Sequence, residues 1–526
     1  MSERIVVVGF GPVAARFIEL IDPLLASGAA HLTVIGAEPD SAYNRVLVAD
    51  VGVGRTSPET ISLSDTARLA ALGADVLLDR TVRRIDRARR QLQLSDGTVR
   101  AYDRLVLATG ARPVIPYLAG LNPDPLHPAL PPGVTALRDL ADARALRAVV
   151  QRRGDVVILG GGILGLEAAL AAAEEGARVS VVHHGDYPLA RNIDDDGGRV
   201  LAATLRRQGV RLVSGAKAVG LEHTATGEFT ALRLDDGRFV SGDLLVLSCG
   251  VRPRTELADG AGLPIRSGIL VDHSLTVHHD EFIHAIGDCA EVSCLDPDCA
   301  DCAGDTTPSG LIGPGWKQAE WLADFLGRQL APSDVAAVEA SGTPFGATSG
   351  AGGSSSSYRE AALPPVVMLK ARGLDAVVAG DVSANLWSGH DDGTAVALWA
   401  DPQHGRYAKI VTRDGVLSGL VCIGMPRTGA ELVLLFESGS VLPEDRSSLL
   451  PLDGAEEQAS SSPNRDPSAT VCRCAGVSRG SIEQAAVVGC STVVEVSAST
   501  RAGTGCGGCH ADIRGIIEEH FQTAPA

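Results

Sequence analysis

IVVVGFGPVAARFIELI (5–21) and DVVILGGGILGLEAAL (155–170) are the two stretches whose reading decides the fold. Each starts with a run of branched aliphatic residues, the composition of a strand buried on both faces. Each run breaks at glycines and resumes as an apolar stretch that reads as a helix. Strand, glycine turn and helix, in that order, open a dinucleotide-binding unit. Gly9 permits the tight turn, and Gly11 lets the backbone approach a pyrophosphate at the helix N-terminus. Ala14 takes the third position, which the motif tolerates, and Gly160, Gly162 and Gly165 fill the three positions of the second unit. One such motif is a weak signal, because a structural glycine turn looks the same; two in full context are strong.

Working outward, Glu38 ends the next strand-like stretch, LTVIGAE (32–38), where a carboxylate can accept ribose hydroxyls. After the second unit, ARVSVV (177–182) ends instead in His183 and His184. An acid at position 183 would favour NADH by repelling a 2′-phosphate. His183, His184 and Arg191 remove that repulsion and leave NADH and NADPH both open. Glu167, just past the second glycine loop, is a candidate for the nicotinamide pocket. The competing reading is an ordinary first-turn glutamate favoured by the helix dipole.

The rest of the chain sets bounds. Its 526 residues leave room for about three to four domains. Apolar residues make up 45% and aromatics only 4%, so the cores rest on Val, Leu, Ile and Ala, as in parallel sheets covered by helices. A net charge of −18 argues against a nucleic-acid partner. No apolar run is long enough to span a bilayer, and strand-like IVVVGF starts almost at the N-terminus, so no membrane partner and a cytoplasmic location are expected. Gly/Ser-rich 336–360 and polar 453–470 read as linkers. Between them, 361–452 reads as a small α/β module with strand candidates VVMLK, AVALWA, AKIVT and LVCIG.

The order of these elements carries a resemblance. LVLATGARP (105–113), with Thr109 and Gly110, precedes the second glycine loop, and an apolar strand closing in IGD (286–288) follows it. Over residues 1–330 this layout resembles the flavoproteins with two dinucleotide-binding domains. The resemblance implies an α/β fold of two Rossmann-like domains. An FAD domain over 1–115 and 246–335 would be split by an NAD(P)H domain over 116–245, with Asp288 holding the FAD ribityl chain. YNR (43–45) and GVRP (250–253) resemble the ferredoxin-reductase branch, which implies Arg45 as a phosphate ligand. Such a protein supplies proximity and exclusion of water, while the cofactors supply the reactivity. Disulfide reductases of this superfamily carry a dithiol in the first FAD segment. No cysteine precedes Cys249 here, which excludes that chemistry.

Eleven cysteines in a cytoplasmic chain read as metal ligands or redox thiols. Cys472 and Cys474 form Cys-x-Cys, and Cys506 and Cys509 form Cys-x-x-Cys, among glycines whose N–H groups can point at cluster sulfurs. Zinc is the other occupant of such four-thiolate sets. With SIEQAAVVGC and ADIRGIIEEHF, this stretch resembles the bacterioferritin-associated-ferredoxin-like [2Fe–2S] domain over 471–526, with those four cysteines as ligands. Cys490 reads as core. Cys294, Cys299 and Cys302 share the Cys-x₄-Cys-x₂-Cys spacing of plant-type ferredoxins. A second iron–sulfur cluster, a structural zinc or three free thiols all fit, with Cys289, a non-cysteine residue or distant Cys422 as the fourth ligand.

Taken whole, the domain order resembles two related families, the large subunit of assimilatory nitrite reductase and the electron-transfer subunit of assimilatory nitrate reductase. The resemblance implies hydride uptake from NAD(P)H onto FAD and export of single electrons through [2Fe–2S]. The chain stops after the [2Fe–2S] stretch, so the expected acceptor is a separate molybdenum nitrate reductase subunit rather than nitrite. Another acceptor, or a redox-sensing nucleotide-binding protein, are the alternatives.

Overall fold

Strands buried on both faces set the architecture of the computed structural model. It describes residues 2–121, 130–296, 299, 306–330, 358, 366–387, 393–450, 466–472, 475–504 and 509–523. The first sheet is parallel throughout, in the order Ile283–Ala285, Arg104–Leu107, Glu3–Val8, Ala30–Ile35, Asp75–Leu77. The second is also parallel, in the order Val210–Val213, Arg178–Val182, Asp155–Leu159, Leu244–Leu247, Val134–Thr135. Ile5, Val7, Leu105, Val156, Ile158 and Leu245 are almost wholly buried, which is why these strands read as unbroken aliphatic runs and not as alternating ones.

Each parallel sheet has a three-stranded antiparallel companion, over 82–101 and 218–241. The two halves are joined by Ala111–Pro113, which pairs antiparallel with Val251–Pro253. The expected domain boundary at 245/246 needs correction. Leu244–Leu247 is one continuous strand paired with Asp155–Leu159, so the second domain extends through residue 247. The first domain also contributes to the second: Val48–Val53 packs on Leu140–Gln151, and its aliphatic residues belong to the second core.

The middle module is a five-stranded antiparallel sheet in the order Val367–Ala371, Leu374–Gly380, Val416–Ile423, Arg406–Arg413, Thr394–Asp401, with helix Pro426–Ser438 packed on it. The strand Leu374–Gly380 was not among the sequence candidates. The module is fastened to the second domain at Asp194, whose Oδ2 accepts from Tyr407 OH at 2.5 Å and from buried Lys409 Nζ at 3.1 Å. Most of the two expected linkers lies outside the described residues. Tyr358 is an exception, buried in the first core and so no part of a free linker.

The C-terminal module packs helices Arg479–Val487, Val493–Thr500 and His510–Thr523 around Ile482, Val496 and Ile513. Buried Arg479 ties the first helix to the third by pairing with Glu483 and Glu519. Among the described residues no helix is long and apolar enough to cross a membrane.

Candidate functional site

The glycines of each loop divide into two physical classes. Gly9 (φ +105°) and Gly160 (φ +125°) turn the chain against a neighbouring strand end. A Cβ there would lie 2.1 Å from Ala108 O and 2.0 Å from Ser248 O respectively. Gly11 and Gly162 cap helices Pro12–Leu20 and Ile163–Glu174 with ordinary extended backbone. A Cβ at Gly162 would meet nothing within 4 Å, and one at Gly11 only the Arg45 side chain at 3.8 Å. So the helix N-termini face open space that their N–H groups and dipoles suit for an anion. Gly165 serves packing, since a Cβ there would come within 2.9 Å of Gly160 O and 3.0 Å of Ser248 Oγ. Ala14 is buried at the matching place in the first unit.

Gly11 and helix Ile163–Glu174 line one cleft of about 2350 Å³. A pocket for a single small ligand is about 300–1,000 Å³, so this volume suits two dinucleotides. Thr109, Gly110, Asp288 and Glu167 line the same cleft, from both domains. Thr109 Oγ1 donates to Arg254 O at 2.9 Å. Asp288 Oδ2 accepts from Arg138 at 3.2 Å. Glu38, past the end of the second strand, pairs with Arg45 and accepts from Tyr43 OH at 2.5 Å. The expected phosphate ligand Arg45 therefore bridges Glu38 and Arg138 O while facing Gly11.

Arg112, Arg138 and Arg254 were missed in the sequence. With Arg45 they line the cleft of a chain whose net charge is −18. Burial, and then Arg112, Arg138 and Arg45, lower the pKa of Arg254. Arg45, Arg112 and Arg138 pair with Glu38, Glu256 and Asp288, in a lining that carries acids as well as bases, and the four guanidiniums are donors of the kind that pyrophosphates accept. The common signal of Arg112, Arg138 and Arg254 is position, beside ATG, just before helix Leu140–Gln151, and after GVRP, all segments whose ends reach the cleft.

His183 stands at the end of Arg178–Val182 with its ring against Gly161, where a Cβ would lie 3.1 Å from it. Its Nε2 meets Ser214 Oγ at 3.0 Å, and Nδ1 is buried with no hydrogen-bond partner among the described residues. Burial, then His184, pushes its pKa below the usual histidine value. That shift favours the neutral ring.

The C-terminal module borders this cleft through Thr470, Val477, Ser499 and Arg501. Arg501 pairs with Glu19 of the first glycine-loop helix and lies over the Trp316 ring, 5.8 Å from its centroid. Asn44 Nδ2 donates to Thr504 O. Cys472 and Cys509 are both buried in the module core, and Gly503 N–H points at Cys472 Sγ at 3.4 Å, the kind of donor that tunes a cluster. Cys474 and Cys506 lie outside the described residues. Cys490 packs against the core, in keeping with its reading as a core residue.

Cys294 and Cys299 are half-buried, and their Sγ atoms lie with His273 in one group whose ligand atoms are all within 4.8 Å of one another. Cys302 lies outside the described residues. Cys289 is elsewhere, fully buried and donating to Ile286 O at 3.3 Å and Leu107 O at 3.4 Å. Cys422 sits in the middle module's core. Neither joins the group.

Residues 3–308 match the pyridine nucleotide-disulphide oxidoreductase family, and residues 470–519 match the BFD-like [2Fe-2S] binding domain. The chain is 29% identical to the nitrite reductase [NAD(P)H] of Bacillus subtilis (strain 168), over 99% of this chain and 58% of that one. It is 27% identical to the assimilatory nitrate reductase electron transfer subunit of the same organism, over 97% of this chain and 58% of that one. The chain thus spans little more than half the length of these curated relatives. The covalent putidaredoxin reductase–putidaredoxin complex superposes with a TM-score of 0.66 at 19% identity, covering 85% of this chain and 95% of that one, a likeness of fold.

Proposed function

The chain belongs to the pyridine nucleotide-disulphide oxidoreductase family and carries a [2Fe–2S] domain, and from that premise we propose that it is an NAD(P)H-dependent flavoprotein reductase that delivers single electrons to a separate catalytic subunit. The observation that carries the reading is the shared cleft: the first glycine loop, the start of the helix that follows the second (Ile163, Leu164 and Glu167) and the C-terminal module all border one volume. FAD bound there supplies the exchange between two-electron and one-electron transfer.

The residues assign themselves by what they offer. Gly11 and the arginines suit the FAD pyrophosphate, Glu38 its ribose, and Asp288 its ribityl hydroxyls. Gly162 suits the nicotinamide dinucleotide, and Glu167 lies on the wall between the two. Cys472, Cys474, Cys506 and Cys509 hold the [2Fe–2S] cluster. The cleft walls position the reactants and exclude water.

The acceptor we propose is a molybdenum nitrate reductase, because the electron-transfer relative matches over nearly the whole of this chain. A nitrite-reducing partner is the second reading, favoured by the 29% match to the nitrite reductase. Purified protein should reduce a dye with NAD(P)H alone, and reduce nitrate only when mixed with the molybdenum subunit. Dye reduction without any electron delivery to that subunit would refute the nitrate assignment. Absence of NAD(P)H oxidation by the flavin-loaded protein would refute the reductase.

A further inference from the structure

Two short strands bring together residues far apart in sequence. Ile269–Val271 and Ala290–Val292 pair in parallel, with Val271 opposite Val292. Both chains leave the pair at the same end, so His273 and Cys294, each two residues past its strand, arrive side by side. Asp272 Oδ1 holds the turn at His273, accepting from Ser274 N–H at 2.7 Å and Thr276 N–H at 3.0 Å. Beyond Cys294, Cys299 N–H donates to Asp296 O at 3.3 Å, which folds the loop back. Cys299 Sγ then lies 3.3 Å from His273 Nε2.

The imidazole is prepared for a metal. His273 Nδ1 lies 3.0 Å from Tyr358 O. A carbonyl oxygen only accepts, so Nδ1 carries the proton and Nε2 presents its lone pair to the two sulfurs. A hydrogen bond of this kind, to a backbone carbonyl, orients metal-binding histidines. Tyr358 N–H in turn donates to His273 O at 2.6 Å, and Tyr358 is buried in the first core. The ring is held from both its own backbone and the next segment.

The geometry points to a mononuclear zinc site formed by His273 Nε2, Cys294 Sγ and Cys299 Sγ. With Zn–S about 2.3 Å and Zn–N about 2.0 Å, tetrahedral ligand atoms stand about 3.5–3.8 Å apart. The 3.3 Å separation of Nε2 and Cys299 Sγ is close to one edge of such a tetrahedron, and all three atoms lie within 4.8 Å of one another. In a [2Fe–2S] cluster only two ligands share an iron, so a third stands farther off, whereas all three atoms here are mutually close. Two thiolates with one imidazole suit zinc, and binding releases the two thiol protons. The metal ties His273 to the stretch that follows Asp288, a residue of the cleft wall. This inference does not depend on the reductase reading, since it concerns metal content alone.

Elemental analysis of the full-length holoprotein tests it. The expected result is one zinc per chain beside the iron of the C-terminal module. His273→Ala and Cys299→Ser should each lose the zinc and keep flavin and [2Fe–2S] absorbance. Should a variant fail to fold, chelator-treated wild-type protein titrated with Co²⁺ should show tetrahedral d–d and thiolate charge-transfer bands, which added Zn²⁺ abolishes. Zinc-free wild-type protein that takes up no Co²⁺ would overturn the proposal. So would a Cys294–Cys299 disulfide in the purified protein, zinc retained by both variants, or loss of iron and acid-labile sulfide in place of zinc.

Discussion

Gly162→Ala should separate nicotinamide binding from folding. The position has φ −84°, and an added methyl meets no atom within 4 Å. Replacing a glycine N-cap by alanine costs about 0.5–1 kcal/mol, small against the roughly 5–15 kcal/mol that holds a domain together. Melting should therefore fall by no more than a few degrees. The methyl does occupy the space where a pyrophosphate must approach the backbone. Loss of one charge-assisted N–H hydrogen bond is worth about 1.5–3 kcal/mol. At 1.4 kcal/mol per factor of ten, that is about a 10- to 150-fold rise in the apparent Kd for NAD(P)H. The assay is anaerobic stopped-flow reduction of the bound flavin against NADH and NADPH concentration, with flavin content and melting as controls. Gly160→Ala is the contrasting variant: its Cβ would sit 2.0 Å from Ser248 O at φ +125°, so the protein itself should fail. A folded Gly162→Ala protein whose flavin is reduced with unchanged concentration dependence would refute the assignment of the second loop.

Four further outcomes follow from particular contacts. Gly11→Val should leave protein that does not retain FAD, read from the flavin absorbance after gel filtration, because only Arg45 borders that space. Cys506→Ser should abolish the [2Fe–2S] EPR signal and partner-linked turnover while dye-linked turnover stays within about twofold; persistent partner-linked turnover after verified cluster loss would count against the route. Arg501→Glu sets a like charge against Glu19 and should slow reduction of the cluster by NAD(P)H at least about tenfold without altering flavin reduction, checked by freeze-quench EPR. Buried His284 has its pKa pushed down to about 4 by desolvation, against about 6.5 unfolded, so the unfolded chain takes up the proton first. The stability it permits is complete above pH 6.5 and falls by about 3 kcal/mol towards pH 4, a loss that His284→Leu should remove from the pH profile of chemical denaturation.

The two dinucleotide folds were legible because their signals are local. A strand buried on both faces has to be aliphatic throughout, and a turn pressed against a neighbouring carbonyl has to be glycine, as at Gly9 and Gly160. The domain boundary was less legible for the same reason. LLVLSCG (244–250) continues one apolar run across the change of partner, and only strand pairing shows that the second sheet keeps it through Leu247. The arginines of the cleft escaped because arginines are common on surfaces and no periodicity marks Arg112, Arg138 or Arg254. What selects them is convergence on one cleft of three separate segments, Arg254 more than a hundred residues from the other two. Docking of the C-terminal module through Arg501, Glu19 and Trp316 left no pattern at all, being a meeting of side chains from three separate segments.

The cysteines mark where spacing stops being informative. Cys289 and Cys294 are five residues apart and look like members of one cluster, yet their surroundings place them in different classes. Cys289 lies just past strand Ile283–Ala285 in the first core, where burial raises its pKa and its S–H donates to two carbonyls. A thiol so placed resists ionisation and is a poor ligand. Cys422 is buried with Met425 O as its acceptor, and Cys249, whose pKa burial raises to about 11, donates to Leu159 O at 3.5 Å. All three are structural thiols by the same criterion. Cys294 and Cys299 stand instead at the edge of the fold, partly open to solvent and beside an imidazole lone pair. His273 is one of four histidines between positions 273 and 284, and nothing in its spacing separates it from the others. What distinguishes it is the register of one parallel pair: shifted by a single residue, it would turn the imidazole to the opposite face of the sheet and leave the sulfurs without it.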